Sequence, residues 1–259
     1  MRKIAISVIT TGQIHLLKKL FTDLNSLASA PLIHVIVTFN LVGEKIDFSQ
    51  WKNLSFESII NTQKKGFARN HNAAFKVSNS EWFLILNPDV RITKDPFRAL
   101  IKSASSPAVG VSTVVIKNSS NMQEDFARVL MTPISLTKRF LSNSTPYEQN
   151  EFIWIAGMFM FFNSKVYKKI NGLDERYFLY CEDCDICIRL TNLNYKINIL
   201  DNQFVIHDSQ RASHKSFRYF SYHLISLIKI WLSSSFWILF FHNRKKTNIF
   251  KKSSVKILN

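Results

Sequence analysis

Strand-like and helix-like segments alternate through the N-terminal half of this chain, and that alternation restricts its fold more than any single motif does. Ile4 to Ile9 is a β-rich apolar run, Ile14 to Leu27 has helical apolar spacing, and Ile33 to Phe39 is a second buried-strand run. Ala68 to Val77 suits a helix, and Trp82 to Leu86 is a third strand that stops at Asn87-Pro88-Asp89. Strands joined through helices predict an α/β fold with a mostly parallel sheet, whose ligands bind at the carboxyl ends of the strands. Asn87 and Asp89 stand at such an end. A length of 259 residues accommodates one large domain, or one domain with an appendage.

Val109 to Ile116 reads as a further strand, followed by a polar, irregular stretch to about Asn150 that suits a loop-rich or acceptor-facing region. Ile153 to Phe162 is an apolar run broken by Gly157, Asn163 to Ile170 suits a short helix, and Asn171-Gly172 marks a turn. Ile197 to Leu200 and Phe204 to Ile206 are short strand candidates, the second ending at His207-Asp208. One long helical pattern then runs from about Ser216 to Phe241.

Between Gly172 and Arg189 the sequence GLDERYFLYCEDCDICIR concentrates five carboxylates, in a chain with 18 acidic and 34 basic residues. A helix starting near Glu182 places Asp185 beside Glu182 on one face and Arg189 a further turn on as counter-charge, while Asp183 points elsewhere. Carboxylates crowded against apolar surface have pKa values pushed apart, as general-base chemistry requires. Cys181, Cys184 and Cys187 share this stretch with a spacing known from metal and iron-sulfur sites. They are the only cysteines in the chain, too few and odd in number for a disulfide framework, which suits a reducing compartment. Small buried hydrophobes flanking the carboxylates is the preferred reading.

The formal net charge of +16 calls for a polyanionic neighbour: nucleic acid, acidic lipid or a phosphorylated substrate. From Ser209 to Asn259 there are ten Lys or Arg and no Asp or Glu, so much of the excess is C-terminal. No RRM, KH or helix-turn-helix pattern supports nucleic acid as the partner. The C-terminal apolar stretch is interrupted by Lys229 and three serines. It suits an amphipathic helix on an anionic membrane surface better than a transmembrane span, with a helix packed on the domain or a homodimer contact as the alternatives. Met1-Arg2-Lys3 leads straight into a strand-like run, so no secretory signal is expected.

Several segments carry a family resemblance together: Ile4 to Thr10, GFARNHNAAF from Gly66, LNPDV from Leu86, IAGMFMFF from Ile155, NGLDERYFLYCEDCDICIR from Asn171, and HDSQRAS from His207. In order and spacing the chain resembles family-2 nucleotide-sugar glycosyltransferases of the GT-A fold, nearest the rhamnosyltransferase-like branch of bacterial surface-polysaccharide synthesis. The resemblance spans about residues 4 to 223. It implies a GT-A domain over residues 1–214, with a nucleotide-binding half to about residue 110 and an acceptor and catalytic half beyond. Residues 215–259 are left as a C-terminal amphipathic helix and basic tail. The implied reaction is inverting transfer of a sugar, foremost L-rhamnose from dTDP-L-rhamnose, onto a polyprenyl-diphosphate-linked or growing polysaccharide acceptor at the cytoplasmic face of the bacterial plasma membrane. A UDP-hexose or UDP-galactofuranose donor, or a catalytically silent homologue that binds sugar nucleotide or anionic lipid, is the alternative.

By the same resemblance Asp183 is the base that activates the acceptor, Glu182 and Asp185 position it, and Gly157 admits close approach of donor sugar or acceptor. Asp89 and His207 match residues that hold Mg²⁺ or Mn²⁺, with Asn87 standing where the family has a first aspartate. Thr10, Thr11, Arg69 and Asn72 match donor contacts, and Thr38 or Asn40 stands where relatives carry an aspartate that contacts the nucleotide. Arg211 and Ser213 match a loop that holds the diphosphate.

Overall fold

The computed structural model describes residues 3–130, 132–133, 152–207 and 217–242. At its centre is a sheet of eight strands in the order β3-β2-β1-β4-β9-β6-β10-β5. Strands β1 (Ile4–Thr10), β2 (Ile33–Phe39), β3 (Ser55–Ile60) and β4 (Trp82–Leu86) run parallel, as the alternating pattern predicts. Helices α1 (Ile14–Ser26) and α2 (Phe67–Val77) are crossovers between these strands. Because both sheet faces are covered, alternate residues of β1 enter different cores. Ile4, Ile6 and Val8 face one that includes Leu17, Leu20 and Phe21 of α1, while Ala5 faces the one that includes Ala68 and Ala74 of α2.

The sheet continues through β9 (Phe159–Asn163), antiparallel to β4, and through β6 (Val109–Lys117) and β10 (Lys196–His207), which pair in parallel. The short β5 (Val90–Arg91) closes the far edge against the end of β10, with His207 opposite Val90. Helix α3 (Phe97–Ala104) packs on β6, while α4 (Ser164–Lys169) and α5 (Glu182–Asn192) follow β9. A two-stranded ribbon joins β7 (Ala127–Val129) to β8 (Ile153–Ile155).

Three expectations are corrected, and two elements had no expectation. The two strand candidates after Tyr195 form one strand, β10, with an irregularity between Leu200 and Phe204 where the polar Asp201-Asn202-Gln203 is accommodated. The long C-terminal pattern is two helices, α6 (Phe217–Leu232) and α7 (Ser234–His242), bent by 58°. Ser233 makes the break: its hydroxyl donates to Ile230 O and accepts from Phe236 N–H, so a serine cap starts the second helix. The polar stretch after β6 contains the ordered strand β7. Finally, β3 and α3 escaped the sequence pattern, β3 because a half-exposed edge strand mixes polar and apolar residues.

Helix α5 is fastened by charge as well as by packing. Arg189 donates to Asp185 Oδ2 at 2.7 Å, to Ile170 O at 2.7 Å and to Gly172 O at 2.8 Å, tying the helix to the turn before it. Asp185 is only 2% exposed, and burial pushes its carboxyl above the usual range despite Arg189. Removing one partner of a buried pair leaves the other uncompensated, at a cost of about 3–5 kcal/mol. Arg189→Met is therefore expected to lower the unfolding free energy by about that amount in a denaturant titration, and Asp185→Asn/Arg189→Met by less. A loss below about 1 kcal/mol in the single variant would show that the pair does not hold the helix.

Candidate active site

The parallel strands end on one edge of the sheet, and a cleft of about 580 Å³ opens there. That volume is in the range of small-molecule sites. One wall is built from Ile9 near the end of β1 and Thr11 just after it, Asn40 after β2, and Lys64 and Lys65 before α2. The floor is Leu86-Asn87-Pro88-Asp89, with Ala156-Gly157-Met158 beside it. Antiparallel pairing of β4 with β9 explains the adjacency: Leu86 lies opposite Phe159, and Asn87 N–H donates to Met158 O at 3.0 Å. The third wall comes from the 178–183 segment, with Tyr219 and Tyr222 of α6.

The acidic segment enters this cleft through a strained turn. Tyr180 and Cys181 both take positive φ, 70° and 66°, immediately before α5 begins at Glu182. Consecutive non-glycine residues in the left-handed region are uncommon and persist only where surrounding structure holds them. Here the turn aims Glu182 and Asp183 at the cleft. Asp183 Oδ2 accepts from Gly157 N–H and Oδ1 from Cys184 N–H, both at 2.8 Å. A Cβ on Gly157 would lie 3.4 Å from Asp183 Cβ and 3.4 Å from Phe67 Cε1, in ordinary van der Waals contact, so the approach of this backbone to the carboxylate does not depend on the missing side chain.

Burial raises the Asp183 pKa above its ordinary value, and the Gly157 N–H and the nearby Arg128 charge offset part of that rise. Glu182 is raised well above the usual range, first by burial and then by the Asp183 charge. Its Oε2 is buried with no hydrogen-bond partner. Cys181 and Cys184 pack with Ile188, Ile230 and Phe236, and Cys187 with Ile186 and Leu190. All three thiols are free and pushed up by burial, so they serve as packing, as the preferred reading of their spacing expects.

Across the floor, β5 and β10 bring together the two residues that the resemblance pairs. His207 Nε2 lies 3.3 Å from Asp89 Oδ2. Asp89 Oδ1 and His207 Nδ1 are buried without hydrogen-bond partners. A carboxylate oxygen with unmet bonding capacity beside an imidazole fits a hard or borderline divalent cation. Among the described residues no group of three or more His, Cys, Asp or Glu is placed to hold a metal ion.

The donor contacts inferred by resemblance divide. Thr11, Asn40 and Asn87 line the cleft. The Asn40 side chain, however, is spent on Lys65 N–H, Lys65 O and Asn61, and Asn61 binds Asn70 in turn. Thr10 is buried and donates to Glu44 at 2.8 Å, and Thr38 is fully buried with an unpartnered hydroxyl, so neither lines the cleft. Arg69 and Asn72 do not line the cleft either: Arg69 pairs with Glu175 at 3.2 Å, and Asn72 binds Leu173 and Glu175. They clamp the 172–175 loop because α2 turns their side away from the cleft. Asp185 is likewise committed to Arg189 rather than to the cleft. Arg211 and Ser213 lie outside the described residues.

Sequence reasoning missed Asn70 and His71, which α2 presents to the cleft where Arg69 and Asn72 do not. The helical repeat of Phe67, His71, Ala74 and Phe75 was the available signal. His71 is bound to Ser7 Oγ at 2.7 Å, and burial lowers its pKa to about 3, so it stays neutral. Lys64, Lys65, Arg128, Tyr219 and Tyr222 were missed too, since they arrive from loops and from distant parts of the chain.

Residues 44–170 match the model of glycosyl transferase family 2. Rhamnosyltransferase WbbL of Escherichia coli (strain K12) is 24% identical over 182 residues, covering 63% of this chain and 69% of that protein. Mannosyltransferase PcManGT from Pyrobaculum calidifontis, solved in complex with GDP-Man and Mn²⁺, is similar in structure with a TM-score of 0.60 at 13% identity. The match covers 88% of this chain and 63% of PcManGT, so the chain spans just under two thirds of that protein. S. aureus TarS 1-349 in complex with UDP-GlcNAc gives a TM-score of 0.60 at 14% identity, over 90% of this chain and 67% of its own. The curled, mostly parallel sheet is the architecture of these GT-A structures. Residues 44–170 thus match glycosyl transferase family 2, and the structural neighbours show that the chain has a GT-A fold.

Proposed function

We propose that this chain is a glycosyltransferase that moves a sugar from a nucleotide-activated donor to an acceptor hydroxyl in one inverting displacement, with Asp183 as the base. The observation that carries the reading is the placement of Asp183: its carboxylate sits in the cleft, oriented by two backbone N–H groups and raised in pKa by burial. In the displacement the acceptor O–H gives its proton to Asp183, and the oxygen bonds to the anomeric carbon. The bond from that carbon to the donor diphosphate breaks, and its electron pair leaves with the diphosphate. Asp183 must therefore lie opposite the leaving group, as a base does in single-displacement glycosyl chemistry.

Lys64 and Lys65 line the cleft and are available to the negative charge of the diphosphate. Asp89 and His207 would hold a divalent cation, Mg²⁺ or Mn²⁺, with Asn87 beside them, and when bound it supplies positive charge to the departing diphosphate. The donor we favour is dTDP-L-rhamnose, supported by similarity to a protein named as a rhamnosyltransferase; UDP-hexoses and UDP-galactofuranose are the alternatives. The acceptor we favour is a polyprenyl-diphosphate-linked or growing surface-polysaccharide saccharide, with the enzyme at the cytoplasmic face of the membrane. The aromatic wall of Phe178, Tyr180, Tyr219 and Tyr222 suits the apolar faces of sugar rings.

Turnover of a nucleotide-sugar panel with a saccharide acceptor tests this reading. The parent chain is expected to consume dTDP-L-rhamnose, and Asp183→Asn to lose about 10²- to 10⁴-fold in transfer while still binding donor. Full activity in that variant would remove Asp183 as the base, and no turnover of any donor would favour a silent sugar-nucleotide-binding homologue. Asp89→Ala is expected to raise the Mn²⁺ needed for half-maximal rate by at least about tenfold, and an unchanged metal requirement would contradict the ligand assignment. Glu182 gives a stability prediction. Its folded pKa lies above its unfolded one, so its burial costs nothing below the unfolded pKa and costs progressively more as pH rises through the folded pKa. Glu182→Gln should accordingly raise the thermal midpoint at pH 7, with the gain disappearing below about pH 4. An equal gain at both pH values would contradict the raised pKa.

A further inference from the structure

Helix α6 is apolar on two opposite faces. Toward the domain, Ser226 and Ile230 are buried, and Tyr219 and Tyr222 line the cleft. The Ser226 hydroxyl donates to Leu179 O at 3.0 Å, and Lys229 to Arg176 O at 2.6 Å, which fixes this face in place. On the opposite face Phe220, Leu224, Ile225, Ile228 and Leu232 are 44–78% exposed. Helix α7 repeats the arrangement: Phe236 and Leu239 are buried, while Trp237, Ile238 and Phe241 are 42–67% exposed. A helix on the surface of a soluble domain ordinarily turns a polar face outward. Large exposed apolar side chains grouped on one element mark a contact surface.

We propose that the outer face of the bent α6–α7 pair seats in the surface of an anionic lipid bilayer. Residues 243–259, immediately after α7, contain six Lys or Arg and no Asp or Glu. An apolar face with a tryptophan, continued by a cluster of cations, matches both layers of such a surface: acyl chain boundary and anionic headgroups. A second copy of the chain is the less favourable occupant, because docking two such helix pairs brings two cationic segments together. Among the described residues no single helix is long and apolar enough to cross a membrane; the bent pair α6–α7 is so only when its two helices are taken together, and the inner faces of both are already occupied by the domain. The bent pair therefore lies along the bilayer. Since α6 also supplies Tyr219 and Tyr222 to the cleft, the bilayer would lie beside the acceptor wall. This consequence rests on the glycosyl-transfer reading, whereas the docking itself does not.

Flotation of the full chain with vesicles tests the docking without any turnover. The parent is expected to bind phosphatidylglycerol-containing vesicles, to bind phosphatidylcholine vesicles at least about tenfold more weakly, and to be released partly by 1 M salt. Leu224→Ser/Ile228→Ser is expected to bind anionic vesicles at least about tenfold more weakly than the parent. Both positions are exposed, so nucleotide binding and the thermal midpoint should be retained. Unchanged vesicle binding in this variant, no binding by the parent, or a parent dimer that the same substitutions dissociate would each overturn the proposal. A chain that binds vesicles but transfers no sugar would contradict the transferase reading alone.

Discussion

Two adjacent carboxyl groups at the start of one helix, Glu182 buried and Asp183 half-buried at the cleft, set the terms for the rest of this molecule. Desolvation of Glu182 and Asp183 opposes folding, and the structure around them offsets that cost. The Gly157 backbone N–H donates to the Asp183 carboxylate at 2.8 Å. The left-handed Tyr180-Cys181 turn aims the pair, and Arg189 anchors the helix behind it. The cysteine-lined side of α5 receives α6 and α7, so the catalytic helix is fixed from both sides.

The opposite wall depends on strand pairing rather than on a helix. Asp89 ends the turn after β4, and His207 ends β10, more than a hundred residues away in sequence. They meet because β10 pairs with β5 in an antiparallel step at the sheet edge. The cleft therefore has a carboxylate suited to proton transfer on one side and a pair suited to a cation on the other. That separation of charge roles is what breaking a glycosyl–diphosphate bond requires.

Legibility in the sequence followed how local the determinant was. The parallel half of the sheet was readable because strands buried on both faces leave continuous apolar runs. The helix from Glu182 and the Asp185–Arg189 pair were readable from spacing on one helix, and motif order pointed to Asp89 and His207, which lie 3.3 Å apart, and to Asp183, which lines the cleft. Motif membership does not say which side of α2 faces the cleft: Arg69 and Asn72 bind the 172–175 loop, and Asn70 and His71 face inward. Arg128, Tyr219 and Tyr222 carried no local signal, since only the packing of the β7–β8 ribbon and of α6 brings them to the site. The bend at Ser233 was hidden within an apolar run, where one capping serine outweighs continuous hydropathy.

The central claim is that burial tunes Asp183 into a base while its hydrogen bonds keep it oriented. The pH dependence of the single-turnover transfer rate, with donor, acceptor and Mn²⁺ saturating, tests this most directly. The account predicts a rate that falls as the acid form accumulates, with an apparent midpoint above the ordinary aspartate value of about 3.9. Because Glu182 and Asp183 titrate as a pair, that midpoint belongs to both. A rate independent of pH down to about 4, or the same descending limb in Asp183→Asn, would contradict it.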